Sequence, residues 1–291
     1  MCIQRRLPAG NGSGKSTTRA SVSDTVFSKL VFDGNIHSAL RYIAQDFLGV
    51  LSMDDHPISG SSKTVHDLLL EKHPEPNVPP EHTLMSEEPQ NINPIVFDRL
   101  TPELLRDVAR HAKGSAGPSG LDSDAWRQMM TCFKKSSNRL CAALARAARR
   151  LCTNDLTEVD LSAFTAARLI PLDKNPGVRP IAVGEVYRRI VCKAIMRVIE
   201  HDVLLVTAPL QLCVGVPSTC EAAIHTMDRL FHRPSIQGIL LIDASNAFNA
   251  LNWSAALHNV PRLCPAMAQV FTNTYTKPIR LFVPGCGEIL S

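Results

Sequence analysis

The sequence predicts an α+β fold that is mostly helical and contains a β-hairpin. Amphipathic patterns with helical spacing recur between residues 101 and 207, and two strand-like segments enclose a Gly turn at residues 165–183. The short apolar run Gly238–Asp243 is typical of a buried central strand. The chain has 291 residues, of which 45% are hydrophobic, so it is long enough and apolar enough to bury a core.

The first 95 residues are predicted to be an N-terminal tail and a Pro-rich linker, largely disordered. Residues 10–23 are rich in Gly, Ser and Thr, and six prolines lie between residues 73 and 94 with few apolar residues among them. Such segments bury too little apolar surface to fold, and proline favours an extended chain. We therefore place the domain boundary near residue 95, with the folded part at residues 96–291.

The folded part is predicted to begin with a series of helices. Thr101 is a suitable N-cap, Pro102 occupies the first helical position and Glu103 lies in the first turn, so we expect a helix that ends at Gly114. A glycine-rich turn follows it, up to Gly120. Further helices are predicted over residues 122–134, 137–152, 185–207 and 219–231, with two more before a terminal hairpin whose strand is 279–283 and whose turn is 284–287.

The helix over residues 137–152 carries apolar and basic side chains on different faces. Leu140, Leu144 and Leu151 fall within about 40° on a helical wheel, and three arginines fall within a similar arc about 120° away. One face is expected to pack and the other to present guanidinium groups. The side chains predicted to contact nucleic acid are Arg139, Arg146 and Arg150 of this helix and Arg189 and Lys193 of the helix over 185–207.

Charge is distributed unevenly along the chain, although the net charge is only +4. Residues 1–98 carry 8 basic and 12 acidic side chains, residues 99–200 carry 18 and 10, and residues 201–291 carry 5 and 5. The excess of positive charge in the middle third indicates either a surface for a polyanion or an ordinary solvated helical surface, and charge alone does not separate the two.

Composition also narrows the class of protein and its compartment. No apolar run approaches the roughly 20 residues of a membrane span, so no membrane partner is predicted, and the N-terminus lacks a signal-peptide pattern. The nine cysteines are odd in number and form no CxxC pair, which favours a reducing compartment over a disulfide framework or a zinc ribbon. We expect an intracellular protein and leave nucleus and cytoplasm open.

Residues 9–16 match the loose pattern of a phosphate-binding loop, ending in Gly14, Lys15 and Ser16. That chemistry requires a buried strand before the loop and a helix after it, so that backbone N–H groups converge on phosphate. Only eight residues precede the motif, and they include Gln4, Arg5 and Arg6. A flexible Gly/Ser tail is the better interpretation, and a nucleotide hydrolase stays the less favoured alternative.

Asp243 is the strongest candidate for a chemical role. It follows the apolar run directly, and α/β sheets place functional carboxylates at the carboxyl ends of buried strands. Taken alone, the residue is better interpreted as the N-cap of a helix that begins at Ala244. Its neighbours and the basic hairpin upstream favour the functional interpretation.

Three blocks of sequence resemble the reverse transcriptases of eukaryotic retroelements, over residues 100–291. The hairpin Arg168-Leu-Ile-Pro-Leu-Asp-Lys174-Asn-Pro-Gly-Val-Arg179-Pro-Ile-Ala-Val is similar to the family's fingers motifs. Gln211-Leu-Cys-Val-Gly215 and the helix after it are similar to the family's Gln-x-x-x-Gly segment. Asp243-Ala-Ser-Asn-Ala-Phe248-Asn resembles the first palm motif, Asp-x-x-x-Ala-Phe-Asp. The resemblance implies a partial right-hand polymerase: helical fingers with a hairpin, and the start of a palm sheet.

The resemblance also implies roles for individual residues. The family's reaction is template-directed DNA synthesis from dNTPs on an RNA or DNA template–primer, with two Mg²⁺ ions held by carboxylates. Asp243 matches the first metal-binding and catalytic aspartate, with the Ala244 carbonyl as a further ligand. Lys174 and Arg179 match cations that neutralise the triphosphate of the dNTP. Phe248 matches the residue that stacks beneath the sugar.

One departure from the family bears directly on activity. The family's second carboxylate pair lies on a hairpin well downstream, whereas here the only acidic side chain after Asp243 is Glu288. One aspartate does not complete a two-metal site. We therefore expect a truncated reverse transcriptase-like chain that is inactive, or nearly so, by itself. The alternative is a non-catalytic remnant that binds nucleic acid through the basic region at 99–200.

Overall fold

The computed structural model describes residues 28, 31–32, 49–58, 61–74, 77–174, 177–207, 219–247, 249–283 and 287–290. The chain divides into two units, residues 1–49 and 50–291. In the first unit, the described residues Ser28, Val31 and Phe32 are helical. The second unit is α+β, as the sequence predicts.

Helices make up most of the described part of the second unit. Short 3₁₀ helices lie at Glu81–Thr83 and Pro94–Arg99. In chain order, the α-helices are α1 (Val65–Lys72), α2 (Pro102–Arg110), α3 (Ser123–Thr131), α4 (Lys135–Thr153), α5 (Glu158–Thr165), α6 (Val186–Thr207), α7 (Thr219–Phe231), α8 (Trp253–Leu263) and α9 (Pro265–Tyr275).

The larger of two apolar cores lies among α2, α3, α4 and α6. Leu105 of α2, Met130 of α3 and Ile190 of α6 are almost completely buried in it. On α4 the buried positions include Ala145 and Ala148, whose small side chains let the neighbouring helices approach closely. Burial of these apolar faces is the main contribution to helix stability, because short isolated helices are marginal in water.

Two of the predicted helix starts, at Thr101 and Asp122, are confirmed by capping hydrogen bonds. The Thr101 hydroxyl accepts a hydrogen bond from the Leu104 N–H at 3.3 Å, and the Asp122 carboxylate accepts one from the Ala125 N–H at 2.8 Å. Each bond satisfies a backbone donor that has no partner inside the helix. At the start of α4, Lys134 has a φ of 45° and its side chain makes no capping bond.

The hairpin predicted around residues 165–183 is also confirmed, as β1 (Ala167–Asp173) and β2 (Val178–Gly184). The two strands are antiparallel and pair from Ala167 with Gly184 to Asp173 with Val178. Two short strands, β3 (Arg280–Val283) and β4 (Gly287–Leu290), form a second hairpin, and β3 lies parallel to β1. The resulting four-stranded sheet has the order β2-β1-β3-β4.

The boundary that the prolines predict near residue 95 lies inside this second unit. Val65 and Leu69 of α1 are completely buried in a second apolar core, against Leu169 and Val178 of the hairpin. The Leu51 N–H also donates to the Pro171 carbonyl at 3.0 Å. Residues 50–72 therefore belong to the sheet side of the unit, because their apolar side chains cover one face of β1 and β2.

The predicted central strand at Gly238–Asp243 is not a strand in the structure. The segment has no regular secondary structure, and Leu240, Leu241 and Ile242 are 83%, 86% and 84% exposed. An apolar strand is buried only where neighbouring strands pair with its backbone and packed layers cover its faces. The described strands pair only with one another and with Val50, so this segment lacks those partners within the described residues. The start of a palm sheet is thus not formed there.

No helix among the described residues is both long and apolar enough to cross a membrane.

Cysteine reactivity is expected to differ sharply between sites in the native protein. Burial raises the pKa of the Cys152 thiol to about 12, and the nearby Cys192 thiol adds to the shift, whereas Cys132 is exposed. At pH 8, about one thiol in ten thousand would be ionised at a pKa of 12, against roughly a quarter for an ordinary cysteine.

We therefore expect iodoacetamide to label Cys132 at least about a hundredfold faster than Cys152, as measured by mass spectrometry of peptides at timed intervals. In denaturant the two rates should become similar. Equal rates in the native protein would contradict the packing of α4 on α6.

Candidate nucleic-acid-binding surfaces

The hairpin presents the two cations that the sequence singles out on one face. Leu172 pairs with Arg179 across the strands, so Lys174, two residues beyond Leu172, lies diagonal to Arg179 on the same face. Both basic side chains are exposed. The Lys174 N–H donates to the Gly177 carbonyl at 3.2 Å, and Gly177 has a φ of +104°, which a residue with a Cβ adopts only with strain.

Arg168 lies on the same face of the hairpin, further from the turn. Its pairing partner is Val183, and strand alternation places it with Ile170, Leu172 and Lys174. The Arg168 Nε is buried and makes no hydrogen bond among the described residues.

Helix α4 carries the clearest basic surface, which we call the arginine strip: Arg139, Arg146 and Arg150. All three side chains are exposed, and none forms an ion pair with another described residue. At 100° per residue they fall within about 40° of one another, and they span about 16 Å along the helix. Between Arg139 and Arg146 lies a shallow groove whose floor is formed by Ala142 and Ala143.

The basic residues of α6 have different environments. The Arg189 guanidinium donates to the carbonyls of Lys113 and Ser115, the first of these at 3.0 Å. Arg197 donates to the Asp107 carboxylate at 2.6 Å, which lowers the pKa of that carboxyl. Lys193 is exposed and has no ion pair among the described residues. Two of these three basic residues, Arg189 and Arg197, therefore hold α6 against α2 and the loop after it.

Glu185 is a buried, hydrogen-bonded carboxylate that the sequence did not indicate. Its side chain is 96% buried, and its two oxygens accept hydrogen bonds from the Ser119 N–H at 2.6 Å and from the Ser119 hydroxyl at 2.7 Å. Together with Arg189 it fixes the glycine-rich turn Gly114–Gly120 onto the start of α6. The only sequence signal was the density of glycines, because the partners are 66 residues apart.

The candidate catalytic residue, Asp243, has no bonded side-chain partner among the described residues. Asp243 and Ala244 are both exposed in the irregular segment before α8, and Asp243 makes no hydrogen bond or ion pair with another described residue. Among the described residues, no group of three or more His, Cys, Asp or Glu side chains is placed to hold a metal ion. A single exposed carboxylate does not fit a two-metal Mg²⁺ site, which needs several carboxylates that share the ions.

Three sequence features fall outside the described residues. They are Phe248, the predicted sugar-stacking residue; the block at 211–218 that resembles the family's Gln-x-x-x-Gly segment; and the phosphate-loop pattern at residues 9–16.

Comparison with known proteins adds no family assignment. No protein-family model matches the chain, and no curated protein matches it significantly. The resemblance to reverse transcriptases therefore rests on the sequence motifs alone.

Proposed function

We propose that this chain is a reverse transcriptase-like fingers module that binds the phosphate backbone of nucleic acid and does not itself transfer nucleotides. The arginine strip is the observation that carries this proposal. Three guanidinium groups that form no ion pair with another described residue line one exposed helix face, and uncompensated clusters of this kind attract polyanions.

The shape of the strip supports contact with a sugar–phosphate backbone. The alanines between the arginines have short side chains, so a sugar–phosphate backbone can approach the helix closely. The guanidinium groups on either side can then bind its phosphate oxygens. Axial separations of about 10 Å from Arg139 to Arg146 and 6 Å from Arg146 to Arg150 let the three contact separate phosphates. Lys193 is a further exposed cation of the middle region.

The hairpin supports a second phosphate contact. Lys174 and Arg179 lie on one exposed face, about 7–8 Å apart at the backbone. The resemblance assigns Lys174 and Arg179 to the triphosphate of a dNTP, with Phe248 beneath its sugar and Ala244 also in the dNTP-binding set. The same pair can bind backbone phosphate, and this interpretation needs no metal site.

We leave nucleotidyl transfer out of the proposed function because of how the described carboxylates are arranged. Mg²⁺ would stabilise the charge that develops on the triphosphate in the family's reaction. Among the described residues, Asp243 is the one carboxylate that matches the family's metal-binding motifs, and no group of three or more metal-ligating side chains surrounds it. The reducing compartment that the cysteines indicate belongs to the same proposal: an intracellular protein whose partner is RNA or DNA.

The test is binding of fluorescein-labelled RNA, DNA and RNA–DNA duplexes by anisotropy at several KCl concentrations. Replacing Arg139, Arg146 and Arg150 together by Gln should reduce the slope of log K against log salt by about 2–3, since each phosphate contact contributes about 0.7–0.9. Affinity at low salt should fall on the order of tenfold or more, similarly for all sequences.

A matched control separates the strip from net charge. Arg110, Arg229 and Arg233 are exposed cations outside the strip, so their joint replacement by Gln removes the same charge. We expect this control to change the slope by less than about one. Binding that is insensitive to salt, or equal losses in the two triple variants, would contradict the proposal. Primer extension with Mg²⁺ and dNTPs that Asp243→Ala abolishes would contradict its non-catalytic part.

A further inference from the structure

A cavity of about 340 Å³ opens between the segment after α1, the start of α8 and the terminal hairpin. This volume is within the range of small-molecule sites, roughly 300–1,000 Å³. Its lining combines carboxamides, an imidazole and an indole with aliphatic side chains, and none of the lining residues is Lys, Arg, Asp or Glu. The lining includes His73, Asn77, Asn249, Ala250, Asn252 and Trp253.

Hydrogen bonds fix the walls of this cavity. The Asn249 Nδ2 donates to the Asn246 Oδ1 at 3.0 Å, and the Asn246 Nδ2 donates to the Lys72 carbonyl at 2.9 Å. On the opposite wall, the Asn252 Nδ2 donates to the Asn77 carbonyl at 2.8 Å. These bonds connect segments about 175 positions apart in the chain, so the cavity is formed by the tertiary fold and its polar groups are held in place.

The polar groups of the cavity that are available to a ligand are mainly hydrogen-bond acceptors. The Asn249 Oδ1 makes no hydrogen bond with another described residue. The His73 Nδ1 lies 2.7 Å from the Leu69 carbonyl, and because a carbonyl only accepts, Nδ1 must carry the proton. In the neutral ring, Nε2 is then an acceptor. The Asn77 carboxamide can donate and accept.

The indole of Trp253 provides a flat apolar wall. It stacks on Tyr275 with ring centroids 4.4 Å apart and an interplanar angle of 11°, so its orientation is set within the protein. A flat ligand can lie against such a ring, as unstacked bases do on aromatic side chains.

We propose that this cavity binds a single unstacked nucleobase. A base has a flat apolar face for Trp253 and N–H donors on its edge for the acceptors of Asn249 and His73, and carboxamides are well suited to paired hydrogen bonds with bases. The absence of charged lining residues disfavours phosphate and carboxylate groups. The identity of the natural source, a base of the nucleic acid bound at the arginine strip, rests on the proposed function.

The test uses the four ribonucleosides, which carry no phosphate. The chain contains two tryptophans, so in a Trp126→Phe protein the remaining fluorescence reports on Trp253. We expect saturable quenching by at least one nucleoside. Asn249→Ala should weaken its binding about fivefold or more, as loss of one hydrogen bond does, while Asn259→Ala on the neighbouring turn of α8 should leave it unchanged.

A second variant covers the case in which Asn249→Ala disturbs the loop. Ala250→Phe removes no side-chain hydrogen bond of the walls and adds a phenyl ring at the cavity lining, so it should strongly reduce quenching. The proposal is overturned if no nucleoside quenches up to its solubility limit, if Ala250→Phe binds as well as the parent, or if free ribose competes as well as the nucleoside.

The outcomes for the two sites are distinguishable. Nucleoside quenching that survives replacement of the arginine strip shows that the pocket acts independently of phosphate contacts. Loss of nucleoside binding together with intact salt-dependent RNA binding overturns the pocket and leaves the proposed function. Nucleoside binding without any RNA binding overturns the proposed function and leaves the pocket.

Discussion

Replacing Asn273 by Ala is expected to lower the free energy of unfolding by about 3 kcal/mol. Asn273 lies in α9, and its side chain is almost completely buried. Its Nδ2 donates to the carbonyls of Leu151 and Asn154, both at 2.8 Å, and its Oδ1 accepts from the Leu156 N–H at 3.1 Å. One carboxamide therefore satisfies three backbone groups where the chain leaves α4.

The magnitude follows from what the substitution leaves behind. Alanine removes all three partners, and each backbone group that stays buried without a partner costs about 1–3 kcal/mol. Asn154 is exposed, so water can replace the bond to its carbonyl and reduce the total. The loss should appear in urea denaturation as a lower midpoint with an unchanged m-value, because the surface exposed on unfolding is the same.

Asn259 provides the matched control. It is an asparagine of the adjacent helix α8 and bonds a loop in the same way, since its Oδ1 accepts from the Met85 N–H at 3.0 Å and its Nδ2 donates to the Thr83 carbonyl at 2.8 Å. It is only half-buried, so water can replace both bonds and Asn259→Ala should cost about 1 kcal/mol. Equal losses for the two variants would show that burial does not set the cost.

The parts of the fold that the sequence predicts are those with local signals. The start of α2 is encoded by Thr101 and Pro102 in consecutive positions, and the hairpin is encoded by strand-like residues on both sides of the Gly177 turn. The arginine strip could also be predicted, because helical periodicity alone places its side chains on one face. In each case the interacting groups lie within a few residues or on one element.

The parts that the sequence did not predict depend on contacts between distant segments. Asn273 bonds backbone groups more than 115 positions away, and its residue type alone does not distinguish it from a surface asparagine. For the apolar run Ile239–Ile242, in contrast, the sequence predicts burial that the structure does not show. Its composition indicates burial, but burial depends on whether other strands pair with it, and no described strand does. Asp243, which follows this run, likewise lies in no group of three or more metal-ligating side chains among the described residues.

The second large loss of stability that we expect comes from a substitution in the glycine-rich turn. Gly117 packs directly on the backbone where β2 ends and α6 begins: a Cβ added to it would lie 2.8 Å from the Glu185 Cα and N and 2.9 Å from the Gly184 carbonyl carbon. Backbone atoms cannot rotate away as the end of a side chain can. Gly117 has no positive φ, so steric contact alone excludes a side chain there.

Gly117→Ala is therefore expected to cost about 3 kcal/mol of unfolding free energy. Overpacking contributes about 1–3 kcal/mol, and the shift of the turn adds the cost of separating Ser119 from the buried Glu185 carboxylate. Ser119→Ala removes the hydroxyl bond to Glu185 and the bond that this hydroxyl accepts from the Leu121 N–H at 3.3 Å, and it should cost about 1.5 kcal/mol. Gly238→Ala is the matched control, because an added Cβ there meets nothing within 4 Å, and it should change stability by less than about 0.5 kcal/mol.

Hydrogen exchange distinguishes a displaced turn from general destabilisation. In the parent protein, the Ser119 amide is protected by its bond to Glu185, so its exchange should be slow for a residue in an exposed turn. Gly117→Ala should accelerate exchange at Ser119 more than in the buried core of α4, because the clash acts at the turn. Uniform acceleration across the unit, or a cost no greater than that of Gly238→Ala, would show that the turn does not depend on its close approach to Glu185.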